Sequence, residues 1–351
     1  AAELEEAGGN PAMVGKIMER AVRSLAGQRV SVSREQWLGF AEDCERAQPP
    51  ASATCAAIVG ATAGLGVEDE DRKATWVADA EELLKRGSVE TARSTLAHAL
   101  TVFPSKKGLW RRAADLEREH GTPDRLDALL RRAVTYCPQS EMLWLMGAKE
   151  KWMQGDVEGA RVVLQEAFVA NPDSEQIMLA AFKLEFENQE VERARLLLGR
   201  ARQQGGRERV WVKSVVLERE LGNAEQEREL LREGLKKFPR AWKMWMMLAQ
   251  LEERSHQKDA ARAAYESGAR HCPDVAELCV SGAAFEERLG NVPRARAILE
   301  QGQLRLPKHP ELWLAAVRTE RRAGNEKACE NTMAKALQDC PSSGILWSEA
   351  I

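Results

Sequence analysis

Tryptophan recurs in this chain at one fixed interval, and that interval limits the fold more than any other feature of the sequence. Aligning Trp76, Trp110, Trp144, Met178, Trp211, Trp245, Cys279, Trp313 and Trp347 gives steps of 34 residues, with a single step of 33. A second ruler runs beside the first. Pro104, Pro138, Pro172, Pro239, Pro273, Pro307 and Pro341 each stand 28 residues after a start, and Gly206 is the one exception. A period of this length marks stacked supersecondary units, in place of the two or three globular domains that 351 residues would otherwise suggest.

Inside each unit the punctuation is helical. Eleven residues after the start lie Gly87, Gly121, Gly155, Gly222, Gly290 and Gly324, suited to the left-handed geometry that ends a helix. Ser88, Thr122, Asp156, Asn223, Asn291 or Asn325 follows, a side chain able to accept orphan N–H bonds at the next helix start; Asn223 and Gln226 have capping-box spacing. Each unit is therefore expected to be helix A, a tight turn, helix B of about thirteen residues and a proline-marked exit. Twenty-three residues after each start the residue is small (Ala99, Ala133, Ala167, Ala201, Gly234, Gly268, Gly302 or Ala336), which lets a neighbouring helix approach closely. Since one hairpin cannot bury its own apolar faces, the expected fold is all-α, a right-handed superhelical α-solenoid of antiparallel helix pairs.

Residues 71–341 read as eight regular repeats. Residues 1–70 read as irregular repeats in which 11–27 form a helix B, Ser33 and Gln36 form a capping box, and the 39 residues from Trp37 to Trp76 include an insertion of about five. Residues 342–351 are expected to be the first helix of a truncated repeat. With no initiator Met at Ala1 and a stop soon after Trp347, the chain reads as a piece of something longer.

Two further positions carry charge. Glu117, Glu185, Glu218, Glu252, Glu286 and Glu320 stand seven residues after their starts; Arg93, Arg161, Arg195, Arg228, Arg262 and Arg296 stand seventeen after. Both lie five residues from the turn centre, so Glu185 is expected to pair with Arg195, Glu218 with Arg228, Glu252 with Arg262 and Glu286 with Arg296, each inside its own repeat. An exposed pair adds roughly 0 to 1 kcal/mol, so its value lies in setting the angle between helices. Burying a Trp is the larger effect. At roughly 150–250 Å² and about 25 cal/mol per Å² it amounts to several kcal/mol, which makes Trp76, Trp110, Trp144, Trp211, Trp245 and Trp313 the expected wedges of the array.

A formal net charge of -3 argues against a chain whose main binding energy comes from neutralising phosphates. Seven cysteines without a C-x-x-C pair read as free thiols; Cys137, Cys272 and Cys340, each before a proline, look like packing residues. No apolar run approaches the roughly 18 residues needed to span a bilayer. Gly60, Gly64 and Gly66 lack the Gly-Lys-Ser/Thr of a phosphate loop and read as close packing followed by a helix end, and His271 beside Cys272 lacks further metal ligands. No catalytic, cofactor-binding or metal residue is assigned. Basic clusters occur at Lys106-Lys107, Arg111-Arg112, Arg131-Arg132, Lys236-Lys237 with Arg240, and Arg318 with Arg321-Arg322. A solvated face balanced by acids is the favoured reading, and a stripe touching RNA phosphates the other. Trp152 and Trp242 fall outside the repeating Trp position and read equally as partner anchors or local packing. Trp152, Trp242, Lys106, Lys107, Lys236, Lys237 and Arg240 make up the candidate partner surface.

Where tetratricopeptide repeats carry an aromatic seven residues after the start, this chain has Glu in most units, answered by Arg on helix B. It thus resembles the half-a-TPR (HAT) repeat of RNA-processing complexes. The stretches at 34–47, 68–76, 102–122, 143–156 and 340–351, EDEDRKATW and VFPSKKGLW above all, are similar to the pre-mRNA-processing factor 6 family. That resemblance implies a nuclear, non-catalytic scaffold of the U4/U6.U5 tri-snRNP with no cofactor, holding U5 and U4/U6 proteins, with a secondary contact to snRNA and self-association of the isolated fragment as further expectations. A homodimeric HAT scaffold of mRNA 3′-end processing and a peptide-binding co-chaperone of tetratricopeptide type stand as alternatives.

Overall fold

Helix follows helix from one end of the chain to the other in a computed structural model, which describes all residues except Arg29, Ser31, Gln48, Pro49 and Ile351, and all side chains of the remainder except Pro11 and Ala26. No strand occurs among the described residues. The chain divides into two units at residues 188 and 189. In the first, α1 (Ala2–Ala7) precedes α2 (Pro11–Gly27), α3 (Arg34–Arg46) precedes α4 (Ser52–Thr62), and α5 (Arg72–Lys85) precedes α6 (Val89–Val102). They are followed by α7 (Lys107–His120) with α8 (Pro123–Tyr136), α9 (Glu141–Met153) with α10 (Val157–Ala170), and α11 (Glu175–Glu187). The second unit holds α12 (Val191–Gln203), α13 (Glu208–Glu220) with α14 (Ala224–Lys237), and α15 (Trp242–Arg254) with α16 (Lys258–His271). It continues through α17 (Ala276–Arg288) with α18 (Val292–Arg305), α19 (Pro310–Arg322) with α20 (Glu326–Asp339), and α21 (Gly344–Ala350). The extra residues between Trp37 and Trp76 lengthen the exit turn, which runs over 63–71 where later exits resemble 103–106.

The turn between helices A and B is left-handed, as its glycines lead one to expect: Gly87, Gly155, Gly222, Gly290 and Gly324 have φ between 73° and 84°. Gln189 and His256 occupy the same position without being glycine and still take φ 63° and 56°, so the tight connection between the helices overrides their local preference. Gly121 departs, with φ −100°: Pro123 at the start of α8 forces Thr122 into an extended conformation, and the turn adjusts before it. Thr122, Asp156 and Ser33 cap their helices, the last in a full capping box with Gln36. The asparagines do not. Asn223, Asn291 and Asn325 turn their amides to Glu218, Glu286 and Glu320 at 2.9, 3.2 and 3.4 Å, so the capping box expected of Asn223 and Gln226 is absent because its cap residue is engaged elsewhere. Gly60 does not mediate close packing either, since a Cβ there would meet nothing within 4 Å; the helix end read from the same stretch is present after Thr62.

The two sequence rulers are one device. The indole N–H of Trp110, Trp144, Trp245, Trp313 and Trp347 donates to the carbonyl of Pro104, Pro138, Pro239, Pro307 and Pro341 in turn, at 2.7–2.9 Å. Asn171, Cys137 and Cys340 reach the carbonyls of Pro138, Pro104 and Pro307 from the end of the following helix B, which explains the residue before Pro172, Pro138 and Pro341. Burial pushes the Cys137 and Cys340 thiols above their ordinary range, away from thiolate chemistry. In the one unit of 33 residues Gly206 replaces the proline, and the buried Trp211 indole N–H has no partner. The small residues of helix B fit between two bulky neighbours. A Cβ on Gly234 would lie 3.1 Å from Trp211 and 2.9 Å from Met244; one on Gly268 would lie 2.9 Å from Trp245 and 3.2 Å from Leu278. Met244 and Leu278 belong to a row immediately before the Trp position, with Leu109, Leu143, Ile177 and Leu312, all at most 1% exposed. Trp76, Trp110, Trp144, Trp211 and Trp313 are buried as expected; Trp245 is half-buried and Trp347 half-exposed.

The charged positions do meet, but between repeats. Glu185 accepts from Arg161 at 2.9 and 2.7 Å, Glu218 from Arg195 at 2.9 and 2.9 Å, and Glu252 from Arg228 at 2.8 and 3.1 Å. Glu286 accepts from Arg262 at 2.5 and 3.0 Å, Glu320 from Arg296 at 2.6 and 2.7 Å, and Glu117 from Arg93 at 2.6 and 3.2 Å. The expected pairs Glu185–Arg195, Glu218–Arg228, Glu252–Arg262 and Glu286–Arg296 are therefore corrected. Equal distance from the turn sets two side chains at one level of the hairpin, yet the Arg leaves helix B on the side of the next repeat, because the Trp and its small partner fill the face shared with its own helix A. Nor are these surface pairs. All six carboxylates are buried and gripped by a two-pronged guanidinium, so losing one partner strands a buried charge at a cost of about 3–5 kcal/mol. One joint carries the reverse polarity: Asp127 stands at the Arg position and Lys151 at the following Glu position, 3.2 Å apart. In the N-terminal repeats carboxylates tie neighbours differently, Glu6 accepting from the backbone N–H and hydroxyl of Thr54 at the start of α4, and Glu45 from those of Thr91 at the start of α6.

Three outcomes follow from this packing. Trp110→Phe is expected to destabilise by about 1 kcal/mol more than Trp211→Phe, because only Trp110 has an indole hydrogen bond to lose; equal shifts in urea midpoint would remove the indole–proline bond from the account. Asp127→Arg alone is expected to lower stability by about 1–3 kcal/mol by facing Lys151, with recovery when Lys151→Glu is added, whereas pairing within repeats predicts that Asp127→Arg gains stability through Glu117. The Arg262 hydrogen bond holds the Glu286 carboxyl below the usual glutamate range, against the opposing effect of burial. Its contribution is thus complete above the unfolded value near about pH 4.3 and is lost as pH falls through the lower folded value. Urea unfolding across that interval should show a shallower acid decline for Glu286→Gln than for the parent.

Candidate functional site

With the repeating polar residues committed to the joints, the surface groups are what remain to bind a partner. Most of the basic clusters are internally balanced. Arg111 lies 3.8 Å from Asp115, Arg131 3.1 Å from Asp127, Arg322 2.9 Å from Glu287, and Arg318 and Arg321 both pair with Glu349 at 2.7 and 2.6 Å. Arg112 pairs with Glu81, and Arg132 lies over the Trp110 ring at 5.9 Å. For these side chains the solvated, acid-balanced face describes the structure. Lys106, Lys107, Lys236, Lys237 and Arg240 differ: all are exposed, and none pairs with a carboxylate among the described residues. Lys106 and Lys107 occupy the turn entering α7, whereas Lys236, Lys237 and Arg240 occupy the turn from α14 to α15 in the other unit.

Trp152 and Trp242 are both half-buried, and they part company in what they touch. Trp152, at the end of α9, packs on the core around Trp144, Ala148 and Leu164, with the Lys183 ammonium 5.7 Å above its ring. Its role is local packing. Trp242 opens α15, makes no indole hydrogen bond among the described residues, and is not part of the core around Trp211, Leu231 and Met244; the Lys243 ammonium lies 5.6 Å from its ring. Of the two, Trp242 is the available anchor.

Sequence reasoning passed over the residues that make this turn unusual. Arg202, at the end of α12, lies over the Trp211 ring at 5.5 Å, and Lys237 lies over the same ring at 4.8 Å. Burial depresses the Arg202 pKa, because water is withdrawn from its guanidinium, and its Nε is buried without a partner. The visible signal was the substitution of Pro by Gly206, which breaks the proline ruler beside Trp211. His271 and Cys272 serve the fold: the imidazole stacks on Trp245 at 5.3 Å and bonds to the Ser267 carbonyl, and the thiol donates to the Arg240 carbonyl at 3.3 Å.

Parts of the chain match known proteins. The tetratricopeptide repeat model matches residues 215–276, which cover the end of α13 through the first residue of α17. Over 241 residues the chain is 59% identical to Protein STABILIZED1 of Arabidopsis thaliana, taking in 69% of this chain and 23% of that protein. It is 51% identical over 109 residues to human Pre-mRNA-processing factor 6, 31% of this chain and 11% of that one. Pre-mRNA-splicing factor prp1 of Schizosaccharomyces pombe is 42% identical over 110 residues, 31% of this chain and 12% of that one. The chain spans less than a quarter of the length of these curated relatives. Identity at this level shows that the chain is homologous to these proteins, two of which are named as pre-mRNA-processing and pre-mRNA-splicing factors.

Proposed function

We propose that this chain is part of a non-catalytic scaffold in pre-mRNA splicing, working in the nucleus and bridging proteins of the U5 particle and of the U4/U6 di-snRNP. The reading is carried by the buried Arg–Glu fork at successive joints. Such joints hold each repeat at a set angle to the next, which is what a protein that spaces several partners requires. A gain in binding then arises from effective concentration: once one partner is seated, a second on the same rigid surface binds as if tethered. The names of two relatives supply the setting, a pre-mRNA-processing factor and a pre-mRNA-splicing factor. The polar groups of the array are spent on joints and turns, and the role assigned to them is positional.

Affinity capture from nuclear extract with this chain, followed by chemical cross-linking, tests the reading. Proteins of both the U5 and the U4/U6 particles are expected to be recovered and to cross-link to separate repeats. Arg228→Ala with Arg262→Ala, which loosens two joints without touching the surface, is expected to reduce joint recovery of the two sets more than recovery of either. Recovery of one set alone, in parent and variant alike, refutes bridging.

A further inference from the structure

Two consecutive turns of the second unit form a basic edge unlike the rest of the molecule. The turn from α12 to α13 carries Arg200, Arg202, Arg207 and Arg209, with Glu208 as its one acid. The turn from α14 to α15 carries Lys236, Lys237, Arg240 and Lys243 and no acid. None of these eight side chains pairs with a carboxylate among the described residues, although both neighbouring joints are locked by such pairs. Arg202 and Lys237, one from each turn, lie over the single Trp211 ring, so the two sets of charges form one patch. Holding unpaired cations side by side is unfavourable in the free protein, and an anion that spans them relieves it.

We propose that this edge binds single-stranded RNA, the sugar–phosphate backbone running across the two turns and one unstacked base lying on Trp242. The spread of charge calls for a polyanion rather than a single phosphate. An acidic protein segment fits less well, because a docked peptide draws much of its affinity from several apolar anchors and Leu196, one helical turn before Arg200, is the one large apolar side chain exposed near the two turns. Trp242 supplies the remaining element. Its ring is half-buried at the lip of the patch beside Lys243, outside the core, and its indole N–H is uncommitted. A flat aromatic face among cations is how unpaired bases are held without reading their sequence, and a duplex would keep its bases stacked out of reach.

Fluorescence anisotropy with a mixed-sequence single-stranded RNA of about twelve nucleotides tests the assignment, on the parent chain, on Lys236→Glu/Arg240→Glu/Lys243→Glu and on Trp242→Ala. The charge variant alters only exposed, unpaired side chains, and its melting curve is expected to match the parent. It should weaken binding by about tenfold or more and flatten the dependence of log K on log salt by about 2, the amount for three lost phosphate contacts on a single strand. Trp242→Ala should weaken binding by about tenfold at constant salt slope. Unchanged affinity in either variant overturns the proposal, as does equal binding of polyglutamate of the same charge or tighter binding of the matching duplex.

Discussion

A carboxylate buried on one repeat and gripped by a guanidinium from the repeat before it is the constraint on which each unit of this structure depends. Neither partner tolerates isolation: the Glu side chains are almost wholly withdrawn from water, and a lone charge there would be costly. The fork geometry accepts only a narrow range of approach, since each of two guanidinium prongs reaches its own carboxylate oxygen. Where a turn asparagine follows, as at Asn223 and Asn291, it donates a further hydrogen bond to the same carboxylate and steadies it for its partner. Orientation between repeats is therefore fixed by directional bonds, while apolar contact supplies most of the cohesion.

That cohesion comes from the tryptophan wedge, and its parts are more tightly linked than their spacing suggests. One proline carbonyl ends a helix B, accepts the next indole, and in several repeats also accepts from the residue at the end of the following helix B. Three consecutive helices thus share one acceptor. The unit beginning at Met178 lacks nearly all of this: its wedge is a methionine, its turn residue Gln189 is held left-handed without being glycine, and its exit proline is Gly206. Deleting one residue there moves the carbonyl that Trp211 would have met, and two cations cover the ring. In a nearest-neighbour array such local departures are tolerated because each repeat is stabilised chiefly by the ones beside it.

Period, helix pairs and turn positions were legible in the sequence because they are local: a glycine, a cap and a proline act within a few residues of themselves. The partner of each charged residue was not, because distance from a turn gives a level along the hairpin and leaves the facing side open. One pair held the missing information. Asp127 and Lys151 reverse the pattern together, and under pairing within repeats they would set Glu117 against Asp127 and Lys151 against Arg161, like charge on like. Only pairing with the next repeat keeps every joint attractive. The aliphatic row of Leu109, Leu143, Ile177, Met244, Leu278 and Leu312 was equally regular, but the neighbouring tryptophans drew attention from it. Trp152 and Trp242 looked equivalent as sequence and are separated by contact alone, since one is covered by a core and the other is not.

A net charge of -3 hides how the charge is arranged. Bulk charge averages over side chains already neutralised at the joints, and those contribute little to the field a partner meets. Removing paired groups leaves a second unit whose turns between α12 and α13 and between α14 and α15 are almost purely basic. In a fold that repeats by stacking, all turns of one kind lie along one edge, so substitutions confined to two successive turns build a charged strip without disturbing a single packed position. The interlocking that fixes the repeats is thus also what frees their turns to vary, and function on such a scaffold is written in the turns.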